Sequence, residues 1–348
     1  MNKVTIEEFK QFYNNEILPF IKPYETKREV FNKKSAPLKN MVITIFVILL
    51  AGFIITILST VLKTFSYIMN PQANPTDLFQ SAFVPGIAPV FIIGAIITMA
   101  IFGLLTNCKH KNIKKELKHG LLSKIFSYCN SKISTTNSEQ ITLQELKQTS
   151  LPIYTKTDDD TICGSYKGVK FVINEAYVQL PIKAKTPTAL FRVLILKLEM
   201  NKKFSGQTIV VPNYINYNHK NNNEVFLEDI NFMKLNNIYA TDQIEARYLL
   251  TPTFMERIKS LGKIFAQKAL ASPTMPVQYK YFIQKNPTCI TAFSNNYVYI
   301  LANTTIDNFD IPLEKNLYDI NIYYNIYLQL VELLSTIDSL KLNEKTGL

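Results

Sequence analysis

Chemistry needs particular side chains at particular spacings, and this chain of 348 residues offers few. Its histidines are His110, His119 and His219, and no His-Glu-x-x-His motif or Cys/His cluster supplies zinc-ligand spacing. Cys108, Cys129, Cys163 and Cys289 lie far apart without a Cys-x-x-Cys pair. They read as free buried thiols in a reducing compartment, not as a disulfide framework. There is no Gly-x-Ser-x-Gly elbow, Walker loop or Gly-x-Gly-x-x-Gly fingerprint, and ten glycines leave little material for phosphate cradles. Asp158-Asp159-Asp160 has the charge to hold a cation, but before a run of strand formers it reads as a solvated turn. No catalytic residue, metal ligand or cofactor is assigned on these grounds.

The residues with the strongest claim to binding are Asp242, Glu245 and Arg247. Asp242 and Glu245 have the spacing of a capping box, opening a short helix through Leu250. Thr251-Pro252 starts a second helix, with Pro252 at the first position, where its missing N–H costs nothing. Arg247 stands two positions after Glu245, so their side chains point to different helical faces and cannot pair. Its partner must come from elsewhere, with Glu228 and Asp229 as candidates. Two readings stand side by side: a structural ion pair tying the helices to a sheet, or an anion or headgroup site.

The elements that must position these residues begin with two apolar stretches. Met41–Leu62 and Pro89–Cys108 contain no Asp, Glu, Lys or Arg. At about 1.5 Å of rise per residue each helix reaches about 30 Å, the hydrocarbon thickness of a bilayer. A signal peptide would begin nearer the N-terminus, and two wholly uncharged core helices of this length would be unusual. The reading is a transmembrane helical hairpin, residues 41–62 and 89–108, joined by an external loop over 63–88. Ala51-Gly52, Gly94, Ala95, Thr98 and Gly103 are small residues that let helices approach closely, which is compatible with a homo-oligomer. Neither span holds an ionisable group, so nothing marks an ion path.

Charge sets the orientation. The net charge is +11, and residues 109–134 carry seven basic side chains against one acidic, whereas the 63–88 loop has a single Lys. Lys and Arg collect on the cytoplasmic side, so both termini are expected there. The remainder, 135–348, is nearly neutral and offers no basic face for nucleic acid.

Residues 1–40 carry a capping box at Thr5 and Glu8, then one helical stripe through Ile6, Phe9, Tyr13, Ile17, Phe20 and Tyr24, which Pro19 and Pro23 should kink or interrupt. Ile113, Leu117, Leu121, Ile125 and Cys129 make a second stripe on a basic juxtamembrane helix spanning 109–134. The two stripes are expected to pack as an antiparallel stalk. Lys109, Lys111, Lys114, Lys115 and Lys118 would then face anionic lipid headgroups, at about 1 kcal/mol per Lys near the surface.

Ser131–Ser138 reads as a polar linker, after which the pattern turns to short strands. Thr161–Tyr166 and Val169–Leu180 flank the turn signal Lys167-Gly168; Ala189–Met200 and Thr208–Val211 follow, with a polar loop at Tyr214–Glu224. Val277–Gln284, Cys289–Phe293 and Tyr297–Leu301 read as a meander, and Tyr318–Leu340 as a closing amphipathic helix. Strands and helices are segregated, which argues an α+β cytoplasmic domain over 135–348 with a mainly antiparallel sheet and flanking helices.

The run from Asp242 to Arg257, DQIEARYLLTPTFMER, closely resembles the signature of a bacterial membrane-protein family known only as a domain of unknown function. Phe12-Tyr13…Glu16-Ile17…Pro19, Asn201-Lys-Lys-Phe204…Gly206…Thr208-Ile-Val-Val-Pro212 and Ile290…Phe293…Val298-Tyr-Ile300 resemble its other segments. The resemblance implies a bacterial inner-membrane protein with a membrane-anchored cytoplasmic domain, and it implies no activity. Two function classes remain. One is a non-enzymatic binding or scaffold module that meets a protein partner or lipid at the cytoplasmic membrane face. The other is a membrane-bound enzyme whose site is assembled from scattered acidic, Arg and Tyr residues.

Overall fold

Lys167 and Gly168 both sit at positive φ, 49° and 83°, the geometry of a two-residue hairpin whose twist matches the strands it joins. The expected hairpin is therefore present, joining strands of 12 and 13 residues. The computed structural model describes residues 3–69, 92–98, 100, 114, 116–129, 131–133, 140–183, 188–218, 222–271, 277–285, 287–304, 309–313 and 315–340. The chain divides into two compact units, one of Met1–Phe12, Leu122–Asp310 and Asn321–Leu348, the other of Tyr13–Leu121 and Ile311–Ile320.

The first unit is α+β. Its strands are β1 (Ser131–Ile133), β2 (Thr155–Tyr166), β3 (Val169–Pro181), β4 (Thr188–Glu199), β5 (Thr208–Pro212), β6 (Asn223–Glu224), β7 (Asn236–Ala240), β8 (Ile290–Ser294) and β9 (Tyr297–Asn303). They form one sheet in the order β1-β2-β3-β4-β9-β8-β5-β7-β6, with every described pairing antiparallel. Side chains alternate between faces along each strand. Val172, Ala176 and Val178 of β3 join Phe191, Val193 and Ile195 of β4 in one core with Leu146, Leu151 and Ile153. The alternate residues Phe171, Ile173, Leu194, Leu196 and Leu198 are buried as well, so β3 and β4 are apolar on both sides. Phe126 stacks on Phe171 at 5.9 Å, and Phe254 meets Phe293 at 5.4 Å. Helix Pro252–Ala271 buries Phe254, Met255, Ile258, Leu261 and Phe265, and Ile320–Ser339 buries Tyr323, Tyr327, Val331 and Leu334.

Three expectations are corrected here. Ser131–Ile133 is no linker: it adds to β2 as an edge strand, with Ser131 opposite Tyr166. Val277–Lys285 is a helix, not the first strand of a meander. Its Val-Gln-Tyr-Lys-Tyr alternation mimics a strand, but Ile283 packs on Ala266 and Leu270 of the preceding helix, and tertiary packing overrides a short periodic run. Asn223–Glu224, expected as loop, pairs with Ala240 and Tyr239 as β6.

In the same unit, Thr5 and Glu8 form the expected capping box, with Glu8 Oε2 accepting from Thr5 N at 2.8 Å and Thr5 Oγ1 from Glu8 N at 3.3 Å. Phe12 then stacks on Tyr128 at 4.2 Å, and Phe9 lies among Tyr128, Tyr324 and Tyr327.

In the second unit, helix Leu18–Met69 runs through Pro23 and Pro37. The expected interruption takes the form of a π-turn over Tyr13–Ile17, whose wider loop accommodates a Pro19 that cannot donate. The Phe20 ring presses on Gly120, where a Cβ would collide with it, and the Tyr24 hydroxyl donates to Glu116 at 3.1 Å. The N-terminal helix thus touches the helical segment at Glu116–Gly120 through these two contacts. Glu25 is buried, accepting from Arg28 Nε at 2.7 Å and from Leu317 N at 3.1 Å. The Arg28 bond holds its carboxyl below the usual carboxylate range.

Among the described residues one helix is long and apolar enough to cross a membrane: Asn40–Ser59, with mean hydropathy 3.0 and none of it buried. Residues 92–98 are helical and sit beside it, since a Cβ on Gly94 would lie 3.4 Å from Leu49 Cδ1. The rest of the second expected span, and the loop over 70–88, lie outside the described residues. One observed spanning-length helix thus stands where a two-span hairpin was expected.

Candidate functional site

The signature begins where β7 ends. Asp242 caps helix Gln243–Leu249, its Oδ1 accepting from Ile244 N at 2.8 Å and Glu245 N at 3.1 Å. Glu245 does not complete the expected capping box. Its carboxylate turns away and accepts from Ser205 N at 2.9 Å and Gly206 N at 2.8 Å, so it closes a loop far away in sequence. A Cβ on Gly206 would lie 2.5 Å from Thr241 Oγ1, which explains the glycine there. Hydrogen bonds to a charged acceptor contribute about 1.5–3 kcal/mol each. Glu245→Ala is therefore expected to destabilise the domain by about 2 kcal/mol, and Glu245→Gln by less, measured by urea unfolding. A loss no larger than that of an ordinary surface substitution would show that the loop is held by other means.

Thr251 Oγ1 accepts from Phe254 N at 3.2 Å and starts the next helix as expected. Arg247 is exposed, and among the described residues no ion pair joins it to Glu228 or Asp229. Asp229 instead caps helix Ile230–Met233 and lies 3.9 Å from Lys259. The structural-ion-pair reading of Arg247 thus finds no support in these contacts. Helix Gln243–Leu249 buries Ala246 and Leu249 and turns Ile244, Arg247 and Tyr248 outward, at the i, i+3, i+4 spacing of one helical face. Ile244 is 82% exposed and Tyr248 48%. Lys202 sits over the Tyr248 ring, 3.7 Å from its centroid. This outward face combines a bare aliphatic side chain, an aromatic ring and two cations, a mixture suited to recognition.

The juxtamembrane lysines divide. Lys109, Lys111 and Lys115 lie outside the described residues, and Lys114 is half-buried. Lys118 is only 8% exposed, which corrects its expected place on the lipid-facing side. The reason is helical geometry: Leu121, Leu122 and Ile125 stand three, four and seven positions on and are all buried, so Lys118 shares their arc.

A second cluster escaped the sequence reading. Asp158–Asp160 is not a turn before a strand; it lies inside β2, at a bulge where the pairing with β3 shifts between Asp158 and Thr161. Asp159, Asp160 and the buried Glu175 bring carboxylate oxygens within 4.8 Å of one another. Arg192 of β4 joins two of them, with Nη2 2.7 Å from Asp159 and 3.3 Å from Glu175, and its guanidinium lies over the Tyr177 ring at 5.5 Å. Such carboxylates have the hard-oxygen chemistry of a divalent-cation site, and the guanidinium serves the same oxygens as counter-ion. In the sequence Glu175 and Arg192 are two of several polar residues in largely apolar strands, and nothing in the spacing pairs them.

The cysteines behave as expected where described. Cys129, Cys163 and Cys289 are free and buried, and burial pushes the Cys129 and Cys289 thiols up to about 12, which suits inert packing rather than nucleophilic work. Cys108 lies outside the described residues.

Fold and surface together define an α+β antiparallel-sheet domain in a chain that also bears a long exposed apolar helix. Residues 189–273, from β4 through helix Pro252–Ala271, match the family described as "Protein of unknown function (DUF3137)". No curated protein matches the chain. Among solved structures it is similar to the mycobacterial trehalose monomycolate transport factor A, TtfA, at 10% identity and a TM-score of 0.25, covering 63% of this chain and 93% of that one.

Proposed function

We propose that this chain is a membrane-anchored binding or scaffold module of a bacterial inner membrane. The observation that carries the reading is helix Asn40–Ser59, none of whose apolar length is buried by the described residues and which therefore calls for lipid. In this reading residues 89–108 return through the bilayer, both termini are cytoplasmic, and Lys109, Lys111, Lys114 and Lys115 meet anionic headgroups. The Ile244, Arg247 and Tyr248 face, with Lys202 beside it, is the partner surface, because an exposed aliphatic-aromatic pair rimmed by cations resembles the centre of an interface. The small residues of the apolar helices support self-association.

A second reading, a membrane-bound enzyme, has one observation in its favour: Asp159, Asp160, Glu175, Arg192 and Tyr177 converge on one face of the sheet. The partner surface is the better supported, since its side chains are open to solvent and Glu175 is not.

The test is in-cell crosslinking of the full chain followed by co-purification in mild detergent, with Arg247→Glu as comparison. The expected result is a specific protein crosslink that Arg247→Glu removes while circular dichroism stays unchanged. Absence of any specific partner, or an identical crosslink pattern for the variant, would count against this surface.

A further inference from the structure

The carboxylates and the cations around helix Gln243–Leu249 are used differently. Asp242 and Glu245 spend their charge within the protein, on the backbone N–H groups of Ile244, Glu245, Ser205 and Gly206. Lys202, Lys203 and Arg247 are exposed, and among the described residues no salt bridge joins any of them to a carboxylate. Elsewhere in the same unit Lys167, Lys170, Lys197 and Lys259 each hold one. The loop that carries Lys202 is fastened to the helix by Glu245, and Lys202 stands over the Tyr248 ring, 3.7 Å from its centroid. Cation and ring are thus held beside Ile244 and Arg247 before any partner arrives, which spares that partner part of the ordering cost.

Two kinds of anionic surface could meet these cations, a bilayer or the carboxylates of a protein. Docking on a bilayer draws on the apolar area inserted. Here that area is one aliphatic side chain, Ile244, 82% exposed, because Lys202 already covers a face of Tyr248. Carboxylates suit the arrangement better. The Arg247 fork can hold one with two parallel bonds, Lys202 and Lys203 can serve others as point charges, and an apolar contact on Ile244 would keep water from the pairs. Resting on the reading of this face as the partner surface, we propose that the partner is an acidic segment of another protein. Its Asp or Glu side chains pair with Arg247, Lys202 and Lys203 around an apolar residue packed on Ile244.

The test uses the full chain in the membranes of cells that make it, with Ile244→benzoylphenylalanine as photo-crosslinker and, in parallel, a carbodiimide, which joins lysine amines only to carboxylates in contact. The expected result is a photo-adduct to one protein, with carbodiimide bonds from Lys202 or Lys203 to Asp or Glu of that same protein, mapped by mass spectrometry. Lys202→Glu/Arg247→Glu should lower the photo-adduct about tenfold or more. Lys202→Arg/Lys203→Arg should keep the photo-adduct and lose the carbodiimide bonds. If the charge-reversed variant fails to fold by circular dichroism, the arginine variant carries the comparison. A protein photo-adduct without carbodiimide bonds, or one undiminished in the folded charge-reversed variant, overturns the acidic partner and leaves the partner surface standing. An adduct to another copy of this chain also overturns it. No adduct, or one to lipid alone, overturns the acidic partner and the partner surface together.

Discussion

Replacing Arg192 with leucine is expected to cost the fold about 3–5 kcal/mol, the loss typical of stripping a buried charge of its counter-ion. Glu175 is fully buried in β3, between strands that are apolar on both faces, and the Arg192 guanidinium 3.3 Å away is part of what makes its charge tolerable there. Domains are stable by only about 5–15 kcal/mol, so the variant should melt about 10 °C lower. The double variant Glu175→Gln/Arg192→Leu should recover part of the loss, because a neutral amide asks for no counter-ion and the two sites are coupled. Urea unfolding of all three proteins checks both statements. A single-variant loss below about 1 kcal/mol, the scale of exposed ion pairs, would show that β2–β4 do not depend on this network. Retained stability with lost function would move the cluster toward the enzyme reading.

Gly262→Ala is expected to destabilise the protein by about 3 kcal/mol, at the upper end of overpacking losses. Helix propensity alone argues the opposite sign, since alanine is the better helix former by about 1 kcal/mol. Packing wins here because of what lies opposite. A Cβ at this position would collide with Thr288 Cα and stand 2.5 Å from Pro287 O, and both belong to backbone that leads straight into β8. The Thr288 hydroxyl donates to Asn236 Oδ1 at 2.9 Å, and the helix is pinned by Ile258 and Leu261, so neither side can retreat. Lys263→Ala, on the exposed side of the same helix, is the control and should stay within about 0.5 kcal/mol of the parent. Thermal unfolding distinguishes them, and a neutral or stabilising Gly262→Ala would mean that the helix can shift.

The particular residues show what a sequence can disclose. Lys167-Gly168, Thr251-Pro252 and the Thr5–Glu8 box are local chemistry, each decided within four residues, and all are legible in the sequence. The α+β class followed from the segregation of periodicities. Helix Val277–Lys285 looks like a strand in sequence because its alternation is real, but its burial depends on Ala266 and Leu270. Glu245 lies on the expected helix, but its partners Ser205 and Gly206 come near only once the sheet has formed. The charge of Lys118 suggests an exposed position, whereas its place on the helical arc of Leu121, Leu122 and Ile125 buries it. The Asp159–Glu175–Arg192 network was not legible as a site, because it joins residues of three strands that meet only in the folded sheet.

Alkaline carbonate extraction and flotation of membranes from cells making the full chain will show whether Asn40–Ser59 holds this protein in a bilayer. The protein is expected to stay with the floated bilayer. Ile48→Lys/Ile55→Lys, which places two charges in the exposed apolar helix at about 2.5–3.5 kcal/mol each, is expected to release a large share to the soluble fraction. Recovery of the parent protein in the carbonate-soluble fraction, folded and without detergent, would contradict it.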